Sequence, residues 1–294
     1  MKKTNISALL LAALLLIQLL CAPVSAVTAE PAADAQADAQ TASDNSAGDA
    51  AAEADSVPED QLLSSREQFS VAAKAALLID LNTNRVVYEQ DADERVYPAS
   101  LTKIMTCLIA LENGNLSDVV TVSESALADL DEDSSVAGLV VGEQMTLENL
   151  LYCMMVVSGN DACNVIAEHV AGSVTDFVRM MNQRAYELGC TNTHFNNPHG
   201  LHDESHYTTA RDLAIITQAA LKSENFRQIV DTYEYKLPDD NMRQNIPKLK
   251  TTNMLIYQSM SNSLYYPRAH GIKTGYTSQA GRCVISEATG DGLD

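Results

Sequence analysis

The sequence predicts an α+β fold in which N- and C-terminal strands form an antiparallel sheet packed with a helical subdomain. Three observations predict it: β-prone text lies near residue 75, β-prone text returns after residue 269, and apolar helical segments fill the space between. Ala75 to Asp80 and Arg85 to Gln90 are apolar-rich runs joined by Leu81-Asn82-Thr83-Asn84, an Asn-rich link that argues for a hairpin. Ser100 to Asn113 is apolar on nearly every face and stops at Gly114, the pattern of a buried helix. Thr146 can cap a second helix running to Val157, and a third follows Asn160 until Gly172. Thr175 to Leu188 is a further helix, ended by Gly189. Thr209 with Asp212 makes a capping-box-like start for a helix through Lys222. Strand text resumes at His270 to Thr277 and Gly281 to Thr289, with Gly290-Asp291-Gly292 as a turn.

Before the folded part, residues 1–26 read as a signal peptide. Lys2 and Lys3 form a charged start, Ile6 to Leu20 an apolar core, and Val24-Ser25-Ala26 a small-residue cleavage site. That core is too short for a membrane span, and Leu20 argues against lipidation at Cys21. Residues 27–65 hold twelve alanines, nine acidic residues and no Lys or Arg, the composition of a disordered, self-repelling tether. Residues 66–294 are the expected catalytic domain. The chain's formal charge of -20 remains -13 over that domain, which excludes a phosphate-backbone binder. Five cysteines remain once Cys21 is removed, so at least one thiol stays free; those in apolar runs read as small buried hydrophobes.

Three short motifs carry chemistry. In Tyr97-Pro98-Ala99-Ser100-Leu101-Thr102-Lys103, a serine at a helix start has a lysine one turn on, on the same face. A buried lysine near a second cation has its pKa lowered and can take the serine's proton. Ser158-Gly159-Asn160 sits between two helices, where a hydroxyl can relay a proton and an amide can hold a substrate carbonyl. Lys273-Thr274-Gly275 lies on a late strand, where a cation and a hydroxyl can grip a carboxylate and the glycine lets a ligand approach closely. Each motif alone is common; together and in this order they are specific.

The set resembles the active-site serine penicillin-recognising superfamily, whose motif triplet is a known pattern. Within it the chain is most similar to the D-alanyl-D-alanine carboxypeptidases of the low-molecular-mass penicillin-binding proteins (serine peptidase family S11), across roughly Val71 to Leu293. The resemblance implies a β-lactamase/transpeptidase-like fold. It implies Ser100 as the acylated nucleophile, Lys103 as its base, Ser158 as proton relay and Asn160 as a substrate-positioning residue. Lys273 and Thr274 would bind the substrate carboxylate, Gly275 would belong to the substrate-binding strand, and the N–H groups of Ser100 and Tyr276 would form an oxyanion hole. The implied partners are a peptidoglycan stem peptide ending in D-Ala-D-Ala and, as inhibitors, β-lactams; no metal or organic cofactor is implied, and no nucleic acid. The implied location is the extracellular side of a bacterial cytoplasmic membrane. Family members continue past Gly290 with further sheet, and many end in a membrane-associating segment, so an incomplete catalytic domain is expected here.

His199, His202 and His206 around Asp203 have loosely metal-like spacing, but in text that reads as loop and in a segment with no metal role in the family. Two other readings remain. A class A β-lactamase would carry a deacylating glutamate in an ExxLN segment, and residues 161–230 contain none. A non-catalytic cell-wall or β-lactam sensor, or an inactive fragment, would bind without turnover.

Overall fold

A computed structural model describes residues 70–128, 130 and 134–290. The expected signal peptide, the tether and the end of the Gly290-Asp291-Gly292 turn lie outside the described residues.

The first hairpin pairs β1 (Ala76–Asp80) with β2 (Arg85–Gln90). Asn84 turns the chain at φ 60°, in the left-handed region that Asn tolerates. After the two-residue strand β3 (Arg95–Val96), a 3-10 turn (Ala99–Thr102) leads into α1 (Lys103–Asn113). The sequence reading starts that helix at Ser100; the α-helical part begins one turn later, with Ser100 in the 3-10 turn, and Ala99 takes a positive φ of 48°. From Lys103 to Ala110 every residue of α1 is buried, as its all-round apolar pattern requires.

Strand β4 (Val119–Thr121), short helix α2 (Glu124–Ala128) and strand β5 (Gln144–Thr146) lead into α3 (Leu147–Val156). Next come α4 (Asn160–Ala171) and α5 (Val174–Glu187). Thr146 caps α3 by accepting the Asn149 N–H at 3.2 Å. Helix α5 starts ahead of the expected Thr175 because the Ser173 hydroxyl accepts from the Asp176 N–H at 3.0 Å. Strand β6 (Thr208–Thr209) pairs with β3 and runs into α6 (Ala210–Ala220), where Thr209 accepts from the Asp212 N–H at 2.9 Å. Helix α7 (Glu224–Val230), the short pair β7 (Glu234–Tyr235) and β8 (Leu249–Lys250), and the hairpin β9 (Ala269–Thr277) and β10 (Gly281–Ala288) complete the fold.

Helices α1, α3 and α4 pack on one another around a core of Ile104, Leu108, Leu150, Leu151, Cys163 and Ile166, all buried. The α+β class holds. Among the described residues β1 pairs with β2 and β9 with β10, each in an antiparallel ladder.

Candidate active site

Ser100 sits in the 3-10 turn, one turn ahead of Lys103 at the start of α1, so the two side chains share a face. The Lys103 amine is 3.1 Å from Ser100 Oγ, 2.7 Å from Asn160 Oδ1 and 2.7 Å from the His199 carbonyl oxygen. Asn160 Oδ1 and the carbonyl can only accept. A neutral amine has two hydrogens, which these two acceptors take, and its lone pair is then left facing the serine hydroxyl. That is the geometry of a general base and its nucleophile.

Hairpin β9–β10 closes the other side. A Cβ on Gly275 would come within 3.0 Å of the Ser100 nitrogen and 3.2 Å of Ala99 Cβ, so glycine lets the strand lie this close to the serine backbone without displacing it. Lys273 is buried, donating to the Thr274 carbonyl at 2.8 Å, and Thr274 shares a 2.6 Å hydroxyl contact with Thr252. Ser100, Ser158, Asn160, Thr274, Gly275 and the exposed Tyr276 all line one cleft of ≈ 680 Å³. The two lysines are sealed beneath it. All eight residues singled out in the sequence therefore meet at one place.

Burial lowers both lysines from their ordinary value, and the charge of Lys103 pushes Lys273 well down. The neighbouring Cys163 and Asp161 act the other way on Lys103.

Several contributors were not singled out in the sequence. Asp161, next to Asn160, is buried and accepts the N–H groups of Ala137 (2.8 Å), Gly138 (2.9 Å) and Leu139 (3.0 Å). With the Asn160 N–H donating to the Ser135 carbonyl at 2.8 Å, this fixes the segment whose Ser134 and Ser135 form the cleft wall. Its signal, an acidic residue in a helix's first turn, reads only as a helix-dipole partner. The three loop histidines separate: His199 gives its carbonyl to Lys103, His202 meets Tyr97 edge-on at 4.6 Å, and His206 contacts Thr102. Among the described residues no group of His, Cys, Asp or Glu is placed to hold a metal ion, and no helix is long and apolar enough to cross a membrane.

Residues 62–294 match the family model for D-alanyl-D-alanine carboxypeptidase, peptidase S11. D-alanyl-D-alanine carboxypeptidase DacF of Bacillus subtilis is 41% identical over 224 residues, covering 74% of this chain and 54% of that protein. DacA of Haemophilus influenzae is 37% identical, with 74% and 54% covered. The chain thus spans about half the length of these curated relatives. Among solved structures, the DD-transpeptidase of Streptomyces strain K15 matches with a TM-score of 0.68 at 32% identity, covering 76% of this chain and 88% of that one. Penicillin-binding protein 5 of Haemophilus influenzae matches with a TM-score of 0.67 at 34% identity, covering 76% and 63%. The chain has their β-lactamase/transpeptidase-like fold, and it belongs to the D-alanyl-D-alanine carboxypeptidase family, peptidase S11.

Proposed function

We propose that this chain carries a serine-type D-Ala-D-Ala carboxypeptidase site that removes the terminal D-alanine from peptidoglycan stem peptides and is acylated by β-lactams. The observation that carries the reading is the buried Lys103 amine 3.1 Å from Ser100 Oγ, its other two contacts being pure acceptors. Ser100 Oγ attacks the carbonyl of the penultimate residue while Lys103 takes its proton. The N–H groups of Ser100 and Tyr276 receive the oxyanion. Ser158 passes a proton to the departing D-alanine amine, and water then hydrolyses the ester. The substrate carboxylate binds at Lys273 and Thr274. A negative charge there favours the protonated form of Lys273, and a cation at Lys273 in turn favours the neutral form of Lys103, so substrate arrival prepares its own base.

The test uses the purified chain, a fluorescent penicillin and an acyl-D-Ala-D-Ala peptide, with Ser100→Ala as the control. D-alanine release that vanishes in the variant supports the carboxypeptidase. Labelling without release points to a sensor or an inactive fragment, and rapid opening of the lactam ring to a β-lactamase.

The same reading makes residues 1–26 a cleaved export signal, 27–65 a tether and 66–294 the catalytic domain, acting at the outer side of the cytoplasmic membrane. Lys2, Lys3, the apolar core and Val24-Ser25-Ala26 support it. A mature N-terminus after Ala26 in exported protein is the expected result, and an intact Met1 would refute it.

A further inference from the structure

Ala99, immediately before Ser100, has a φ of 48°, a left-handed conformation that alanine adopts only when its surroundings impose it. Two groups from the His-rich loop press on it. The first is Gly200, at φ +91°, whose backbone lies so close that a Cβ there would fall 1.8 Å from the Ala99 carbonyl oxygen. The second is a buried chain of hydrogen bonds whose polarity has only one solution. The Thr102 hydroxyl donates to the Ala99 carbonyl at 2.8 Å, and that acceptor cannot donate back. With its hydrogen committed, Thr102 Oγ1 can only accept from His206 Nε2, 2.8 Å away. The other ring nitrogen, Nδ1, accepts the Asn196 N–H at 3.1 Å. His206 is therefore a neutral, Nε2-protonated imidazole with both nitrogens used, held edge-on against Phe195 at 5.5 Å. Burial pushes it down to about 4, in keeping with that neutral form.

We propose that His206, acting through Thr102, is a positioning residue that locks the Ala99 carbonyl and so aims Ser100 Oγ at the Lys103 amine. It touches no substrate. Its effect rests on the reading of Ser100 as nucleophile, and displacement of such a group by about 1 Å costs on the order of 100-fold in rate.

Two substitutions separate the two ring nitrogens. In His206→Gln the side-chain amide reaches the place of Nε2 and can still donate to Thr102. In His206→Asn the amide occupies the place of Nδ1, so the Asn196 contact survives and the Thr102 contact is lost. The acylation rate constant and the non-covalent dissociation constant for a fluorescent penicillin are measured separately by stopped flow on the full chain. Thr102→Val and Thr102→Ser are measured alongside, with thermal melting of every variant. The expected result is a roughly 10- to 100-fold loss of acylation rate in His206→Asn and Thr102→Val. The dissociation constant stays within about threefold, and His206→Gln and Thr102→Ser recover most of the rate. The proposal is overturned if His206→Asn and Thr102→Val acylate at the wild-type rate, even with lower melting temperatures. It is equally overturned if His206→Gln loses as much rate as His206→Asn while remaining folded. A wild-type chain that is never labelled would instead refute the reading of Ser100 itself.

Discussion

Asp161→Asn tests how firmly the cleft wall is held. One carboxylate oxygen accepts from Ala137 at 2.8 Å and Ala162 at 2.9 Å, the other from Gly138 at 2.9 Å and Leu139 at 3.0 Å. An asparagine keeps one acceptor oxygen and replaces the other by an NH2 group, so either orientation leaves two N–H donors facing a donor. A buried donor without a partner costs about 1–3 kcal/mol. The Ala162 and Leu139 bonds are buried, one on each oxygen, and the Ala137 and Gly138 bonds only part-buried, so either orientation strands one donor of each kind and the expected loss is about 2–3 kcal/mol in total. For a domain of this size that is roughly 4–12 °C in Tm. The assay combines thermal unfolding with hydrogen exchange at the 137–139 amides and the rate of penicillin acylation. Lost amide protection, a lower Tm and slower acylation are expected together. A Tm within about 1 °C of wild type with protection unchanged would refute the reasoning, since it would mean that the carboxylate is not what fixes this segment.

Gly200→Ala forces a Cβ into a left-handed residue and onto the Ala99 carbonyl, 1.8 Å away, so a loss above roughly 3 kcal/mol and little soluble, penicillin-reactive protein are expected; normal expression and labelling would contradict it. His199 and His206 are held down to about 3 and about 4, His199 by burial and by Lys103, His206 by burial and the nearby His194 and His202 against the opposing pull of Asp203. Both folded values lie below the ordinary 6.5, so the unfolded chain binds protons that the folded chain does not, and the stability they supply is complete above pH 6.5 and lost as the pH falls toward 4. Denaturant titrations should show stability dropping by up to about 2.7 kcal/mol per pH unit in that window, with about half that slope in His206→Gln; a flat profile would show the histidines are not buried neutral. Four thiols, Cys107, Cys153, Cys163 and Cys190, are buried and free, and Cys283 is half-buried with burial pushing it up to about 11. Native protein should react slowly if at all with a maleimide, all five should label in denaturant, and an intramolecular disulfide detected by mass would contradict this.

What the sequence made legible were features written within one turn of chain. The Thr146 and Thr209 caps, the Asn-rich turn at residue 84 and the Ser100–Lys103 spacing all act over three or four residues, and each appears where expected. Convergence of the three motifs followed from their order along a recognisable pattern, not from any local signal. Asp161 was opaque because its partners lie 22 to 24 residues earlier, in a loop without periodicity. The His-rich loop suggested ligands because spacing reveals residue type but not which atom is used; for His199 the contact with Lys103 is through the backbone carbonyl. The ladders β4–β5 and β7–β8 have only two or three residues per strand, too few to show an alternation.

The three contacts of the Lys103 amine come from three different places in the chain: its own helix's lead-in, the start of α4, and the loop before β6. The amine is thus a rivet as well as a reagent, and removing it strands two buried acceptors deep in the protein. An inactive form meant to capture intact substrate is better made at Ser100, which is only half-buried, because silencing the lysine would loosen the very architecture the captured complex is meant to reveal.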